Sequence, residues 1–456
     1  MIDAQKLLQD QKSHFRSGAT RAYADRDQAL LRLADGIRKH EALFFDALKK
    51  DLGKSPEESY ATEVGFLLEE IRGLRRGLKK WMRPERVPTP MFLWPGKSRI
   101  LREPYGVALI LSPWNYPMQL ALAPLAGALA AGNCAVIKPS ELAPATAAAI
   151  EKMLAATFDT NLVATMCGGP EEAQSLLAEP FDQVFFTGST TVGRKVLEAT
   201  AKHLSPVVLE LGGKSPCIVD ETVDIAVAAR RVAWGKTVNA GQTCVAPDYL
   251  LVHRSIQDKF VAALRESVTQ FFGADAKKSP DFGRIVNERH FERLERYLAD
   301  GKVLWGGETD RAQRYFAPTV MVPHDLDRPV MQEEIFGPIL PIIAYDKLED
   351  AISIVEERPK PLAFYLFTSS AKTEQLFMDR VRFGGGCVND TLVHLGNGCL
   401  PFGGVGPSGL GAYHGRASFE AFSHRKSVLS KPFVLDAPLR YPPGAGKLRW
   451  YRKVFR

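Results

Sequence analysis

From Gly106 onward, short runs of wholly apolar residues alternate with longer helical patterns, and that alternation leaves few folds open to the chain. Val107-Ala108-Leu109-Ile110-Leu111 has no polar face. A strand of this kind needs cover on both sides, which a parallel sheet obtains by packing helices against each face. The small-residue stretch 120–131 predicts a helix that stops at Gly132-Asn133. Residues 134–137 predict a second strand, 143–154 a helix and 182–186 a third strand, with another helix from about Thr190. The pattern then repeats, with strands at 216–219, 249–252, 303–305 and 362–367 and helices at 225–238, 256–272 and 288–298. This is the layout of an α/β protein built on doubly wound, Rossmann-like sheets.

The flanking segments differ. Between Asp25 and Asp51, Leu30, Leu33, Ile37, Phe44 and Leu48 recur at helical spacing. A second helix is expected to carry Tyr60, Val64, Leu67, Ile71, Leu74 and Leu78 on one face. Prolines and apolar residues crowd 83–95, which cannot be a continuous helix and reads as the start of a projecting hairpin. The glycines of 384–415 are interleaved with His394, Phe402 and Tyr413, which suggests tight turns near a ligand or an interface. The end of the chain mixes basic and aromatic residues from Lys447 to Arg456; it reads as a tail docked on a partner subunit, left mobile, or touching a membrane surface.

A chain of 456 residues exceeds a single core, so two or three domains are expected. Its 59 basic and 52 acidic residues give a net charge of +7, interspersed, which suits an anionic small ligand better than a nucleic acid. None of the six cysteines forms a CxxC and the histidines are scattered, so no metal site is expected. No charged-then-apolar leader opens the sequence and no apolar run approaches the roughly twenty residues of a membrane span. The expectation is a cytoplasmic protein with reduced thiols.

Two stretches carry chemistry. In Asn239-Ala240-Gly241-Gln242-Thr243-Cys244 a thiol follows a glycine among small uncharged residues, where it can meet an electrophile with little crowding. In Val207-Val208-Leu209-Glu210-Leu211-Gly212-Gly213-Lys214 an apolar strand carries one acid and breaks at a glycine pair. A carboxylate in such surroundings has its pKa raised, which suits a general base. The alternatives are a core cysteine and a buried Glu210–Lys214 ion pair. The chain has no GxGxxG. Gly188, Ser189 and Gly193, in Phe186-Thr187-Gly188-Ser189-Thr190-Thr191-Val192-Gly193, instead stand between a strand and a helix, where helix N–H groups suit a pyrophosphate.

Taken together, ELGGK followed about thirty residues later by GQTC resembles the catalytic pair of the aldehyde dehydrogenase superfamily. PWNYP at 113–117, KPSE at 138–141, FTGSTTVG at 186–193, EEIFGP at 333–338 and PFGGVGPSGLGAYHG at 401–415 follow in the order of that family. The short N-terminus and LRYPP near the end are most similar to the class 3 branch, which includes dimeric and fatty aldehyde dehydrogenases. The resemblance implies two Rossmann-like domains and an oligomerisation arm: 1–82 with 104–210 for the cofactor, 211–410 for catalysis, and 83–103 with 411–456 as arm and tail.

It also implies roles. Cys244 is the nucleophile and Glu210 the base for a hydrolytic water; Asn115 joins the backbone N–H of Cys244 in an oxyanion hole, where its other reading is a turn residue between prolines. Trp114 lies on the cofactor side, Lys138 and Glu141 face the adenosine ribose, Glu334 holds the nicotinamide ribose, and Phe336, otherwise a core aromatic, packs beside the nicotinamide ring. Trp234, Tyr60 and Tyr116 are expected to line an apolar substrate tunnel. The reading is an NAD-dependent enzyme that also accepts NADP, a homodimer, oxidising an aldehyde to an acid through a thioester. A coenzyme A-acylating dehydrogenase and a non-catalytic binding protein on the same fold are the alternatives.

Overall fold

The computed structural model describes residues 3–455. Its centre is two open sheets. The first runs, from edge to edge, Gly409–Leu410, Val207–Glu210, Gln183–Thr187, Val107–Leu111, Cys134–Lys138 and Val163–Thr165, all parallel except the first pair. The second runs Gly301–Trp305, Thr319–Pro323, Ile339–Tyr345, Tyr249–His253, Pro216–Val219, Ala363–Phe367 and Gly385–Val388, antiparallel only at Gly301–Trp305. Every residue of Val107–Leu111 is buried, as its lack of a polar face requires.

Helices cover both faces. Gln119–Ala131 is buried along its whole length, so it has no amphipathic pattern; Leu122, Leu125 and Leu129 are at most 2% exposed. Each contributes about 1.5–3 kcal/mol of burial. The helix ends where Gly132 takes φ 93. Asp51 closes another junction by accepting from Ala145 N, Thr146 N and Thr146 Oγ1 at 3.2, 2.8 and 2.8 Å, which caps Pro144–Thr157.

The N-terminal helices depart from the sequence reading in three ways. A helix Ala4–Ser17 precedes the expected ones. The apolar set of 25–51 is divided between Tyr23–Lys39 and Glu41–Leu52, with a break at His40. A single π-helical turn, Tyr60–Val64, precedes Gly65–Trp81. The extra residue of that turn rotates Tyr60 away from the face of Val64, Leu67 and Ile71, and it is 48% exposed.

The proline-rich segment does open a hairpin. Glu85–Val87 pairs with Lys97–Pro104, and Ser423–Ser430 pairs along the other edge, forming a separate antiparallel sheet. Before the chain returns to this arm at Ser423, Tyr413 and Phe422 pack on Phe185 of the first sheet, with ring centroids 5.2 and 5.7 Å away. The tail returns to the arm, where Phe455 lies 5.3 Å from Phe92. No helix among the described residues is long and apolar enough to cross a membrane.

Candidate active site

Parallel strands all end on one edge. The C-terminal edge of the first sheet therefore gathers Trp114 and Asn115, Lys138 and Glu141, Gly188 and Ser189, and Glu210. The N-terminal edge of the second sheet gathers Lys214, Cys244 and Glu334, which precede strands at 216, 249 and 339. The two edges meet, and the candidate residues lie along the seam.

Cys244 follows a backbone that only a short turn allows. Asn239 and Ala240 both have φ 52 and Gly241 has φ 74; a Cβ at Gly241 would sit 2.3 Å from the Gly337 carbonyl oxygen. Gln242 pins this turn. It is fully buried, donates Nε2 to Asn239 O at 3.0 Å and Arg284 O at 2.9 Å, and accepts from Val286 N at 2.9 Å. On either side of the thiol, Tyr116 Oη and Thr243 Oγ1 bond at 2.6 Å and Tyr365 donates to Val245 O at 2.6 Å. Burial pushes the Cys244 thiol well above its ordinary range, and the carboxyl groups of Glu334 and Glu210 push it further.

Asn115 is 2% exposed and donates Nδ2 to Gln242 O at 3.1 Å. Its own carbonyl accepts from Asn239 Nδ2 at 2.7 Å. These bonds tie the PWNYP loop of one sheet to the cysteine loop of the other.

Glu210 ends its strand between Thr187 and Gly409. It is 2% exposed, and neither carboxyl oxygen has a hydrogen-bond partner among the described residues. Burial raises its pKa well above the usual carboxylate range. The ion pair with Lys214 is not formed. Lys214 instead pairs with Asp248 and donates to Val330 O at 2.8 Å and Glu333 O at 2.9 Å, bracing the EEIFGP loop from below.

That loop is held further by Arg293, which donates to Glu334 O at 2.9 Å and Ile335 O at 2.7 Å. The Glu334 carboxyl lies against Gly212, where a Cβ would come within 2.1 Å of Oε2. Its Oε1 has no partner among the described residues, and burial, with Asp248 adding to it, pushes the group up to about 8. Phe336, at φ 51, meets Trp114 edge-to-face at 5.2 Å. Lys138 and Glu141 pair with each other at 2.6 Å. Ser189 caps the helix Thr190–Ala201 by accepting from Val192 N at 3.4 Å, and Gly188 N donates to Glu210 O at 3.0 Å. Gly193 is a packing glycine, since a Cβ there would lie 2.6 Å from Leu211. A dinucleotide fits these residues: the orphaned Glu334 oxygen suits a ribose hydroxyl, and the first turn of Thr190–Ala201 suits a pyrophosphate.

On the other side of Cys244 is a cavity of about 310 Å³. Tyr116, Trp234, Phe66, Phe402 and Tyr413 line it, and among the described residues no Asp, Glu, Lys or Arg does. His414 also lines it, and burial lowers its pKa to about 3, so it is neutral. Tyr60, expected here, is absent from the lining because of the π turn; Phe66 takes its place. The sequence reading also missed Lys54, Glu58, Glu63 and Gln242. Each acts through partners from 42 to 181 residues away, besides the local bonds Lys54–Glu63 and Gln242–Asn239.

The family model described as the aldehyde dehydrogenase family matches residues 2–428. The 4,4'-diaponeurosporen-aldehyde dehydrogenase of Staphylococcus aureus is 47% identical over 449 residues, covering 98% of each chain. The dimeric NADP-preferring aldehyde dehydrogenase of Canis lupus familiaris is 44% identical over 450 residues, covering 98% of this chain and 99% of that one. The substrate-bound structure of Staphylococcus aureus AldH superposes with a TM-score of 0.97 at 46% identity, covering 100% of both chains.

Proposed function

The chain belongs to the aldehyde dehydrogenase family, and on that premise we propose that it oxidises neutral, apolar aldehydes to free carboxylic acids through a thioester on Cys244. It is an NAD(P)-dependent aldehyde dehydrogenase, using NAD and NADP. The observation that carries the hydrolytic reading is Glu210, a buried carboxyl with both oxygens unpartnered at the seam beside the thiol.

In this mechanism Cys244 Sγ, once deprotonated, bonds to the aldehyde carbon, and the carbonyl oxygen becomes an anion. The Cys244 N–H and the second N–H of Asn115 Nδ2 donate to it; the first is already engaged by Gln242. The first turn of Thr190–Ala201, Glu334 and the Trp114–Phe336 pair would hold the dinucleotide, which would supply an acceptor for the hydride that the aldehyde carbon loses in becoming a thioester. Glu210 then takes a proton from a water as that water attacks the thioester carbon, and the carbon–sulfur bond breaks to release the acid. A base for water has no purpose if coenzyme A is the acceptor, so Glu210 favours hydrolysis over the acylating alternative. Reported by NADH absorbance, hexanal is expected to show a kcat/KM at least about 100-fold above that of succinic semialdehyde, since the cavity offers a carboxylate no counter-charge. Comparable values, or a requirement for coenzyme A, would refute this reading.

We also assign 1–82 and 104–210 to the cofactor domain, 211–410 to catalysis, and 83–103 with 411–456 to arm and tail, with part of 411–422 lying on the first sheet. The free thiols support a cytoplasmic location. A homodimer is supported by the arm, where Met91, Phe92 and Trp94 are 91, 50 and 67% exposed, and by the dimeric relative. Light scattering at micromolar concentration should return twice the chain mass; a monomer or tetramer excludes the assignment.

A further inference from the structure

Behind the PWNYP loop lies an ion pair from which water is excluded. Lys54 and Glu63 meet at 2.5 Å with both side chains 0% exposed. A buried pair of this kind costs desolvation, so its geometry has to return something. Apart from the bond they make to each other, their hydrogen bonds go to the PWNYP loop and to the helix start that follows it. Of the three Lys54 N–H groups, one goes to Glu63, one to Asn115 O at 3.4 Å, and one faces the ring of Tyr116, with Nζ 4.0 Å from its centroid. Glu63 Oε2 accepts from Met118 N at 2.9 Å and Gln119 N at 3.2 Å, the residues that open the helix Gln119–Ala131. The loop is thus gripped at Asn115 and again three and four residues later. The π-helical turn containing Glu63 is the local distortion that belongs to this arrangement.

We infer that the Lys54–Glu63 pair is a positioning device: it fixes the backbone of Asn115 so that the side-chain amide is set for the developing oxyanion. The inference rests on the oxyanion role proposed above for Asn115. Neither residue lines the cavity beside Cys244. Their effect passes through Asn115 and is realised in the transition state, so it falls on kcat rather than on substrate binding.

The test is a mutant cycle with hexanal and saturating NAD. Asn115→Ala should lower kcat about 100-fold. Lys54→Met should lower kcat at least about 10-fold with little change in KM, and it should add almost nothing in the Asn115→Ala background. Alkylation of Cys244 by iodoacetamide, which develops no oxyanion, should keep its wild-type rate in Lys54→Met, as it would not if the whole site had collapsed. Lys54→Met alone leaves Glu63 charged and buried, so the double variant Lys54→Met/Glu63→Gln, which removes both charges, repeats the cycle if the single variant does not fold. Losses that multiply with Asn115→Ala, or an unchanged kcat in a folded Lys54 variant, overturn the positioning role while leaving the oxyanion hole intact. A wild-type kcat in Asn115→Ala removes the oxyanion assignment, and the positioning role with it. Failure of both Lys54 variants to fold makes the pair a requirement of the fold and also counts against the inference.

Discussion

A Glu210→Gln enzyme should release its first equivalent of NADH and then turn over at least about 100-fold more slowly than the wild type, because general-base catalysis contributes on that scale. Glutamine keeps the shape of the buried side chain and cannot take a proton. The original carboxyl oxygens have no partners among the described residues, so the exchange breaks no hydrogen bond there. Stopped-flow absorbance should show a burst near one per active site, and mass spectrometry should find the acyl group on Cys244. Burial raises the Glu210 pKa, so the ionised base is lost as pH falls through that raised value. The wild-type deacylation rate should therefore decline on an acid limb lying above the ordinary glutamate value of about 4.3, and the variant should lack that limb. A second role is also measurable. The Cys244 thiol is itself pushed up by burial, and if Glu210 also deprotonates it, the burst will slow at neutral pH and recover in alkali. With no burst and no adduct at any pH, the assignment of Glu210 to water activation would be wrong.

Cys244→Ala should abolish both phases, with kcat down by on the order of 10⁴ or more, since the proposed acyl intermediate forms on that sulfur. The substitution is small. The hydrogen bonds that shape the turn belong to Asn239, Gln242, Thr243 and Val245, and none needs the sulfur. The variant should fold, and quenching of its tryptophan fluorescence should still report NAD binding. Residual NADH formation within 100-fold of wild type, or an acyl adduct on another cysteine, would move the nucleophile elsewhere.

Much of this protein could be read directly from the chain. Apolar strands such as Val107–Leu111 require cover on both faces, and that requirement depends only on local composition, so the parallel sheets and most strand positions were predictable. The turn at Gly241 and the break at Gly212-Gly213 were legible because backbone geometry is also local. Tertiary structure decided the rest. Lys214 was a candidate partner for Glu210 by nearness in sequence, yet it pairs with Asp248, and Glu210 is left alone in apolar surroundings. Tyr60 fitted the helical period, and one extra residue in a π turn moved it to solvent. Lys54 and Glu63 gave no signal, because a charged residue cannot announce a partner that only the packing of the PWNYP loop supplies. Periodicity fixes which way a segment faces. Which polar groups then find each other depends on where distant segments meet, and the free energy of burying a charge is settled only there.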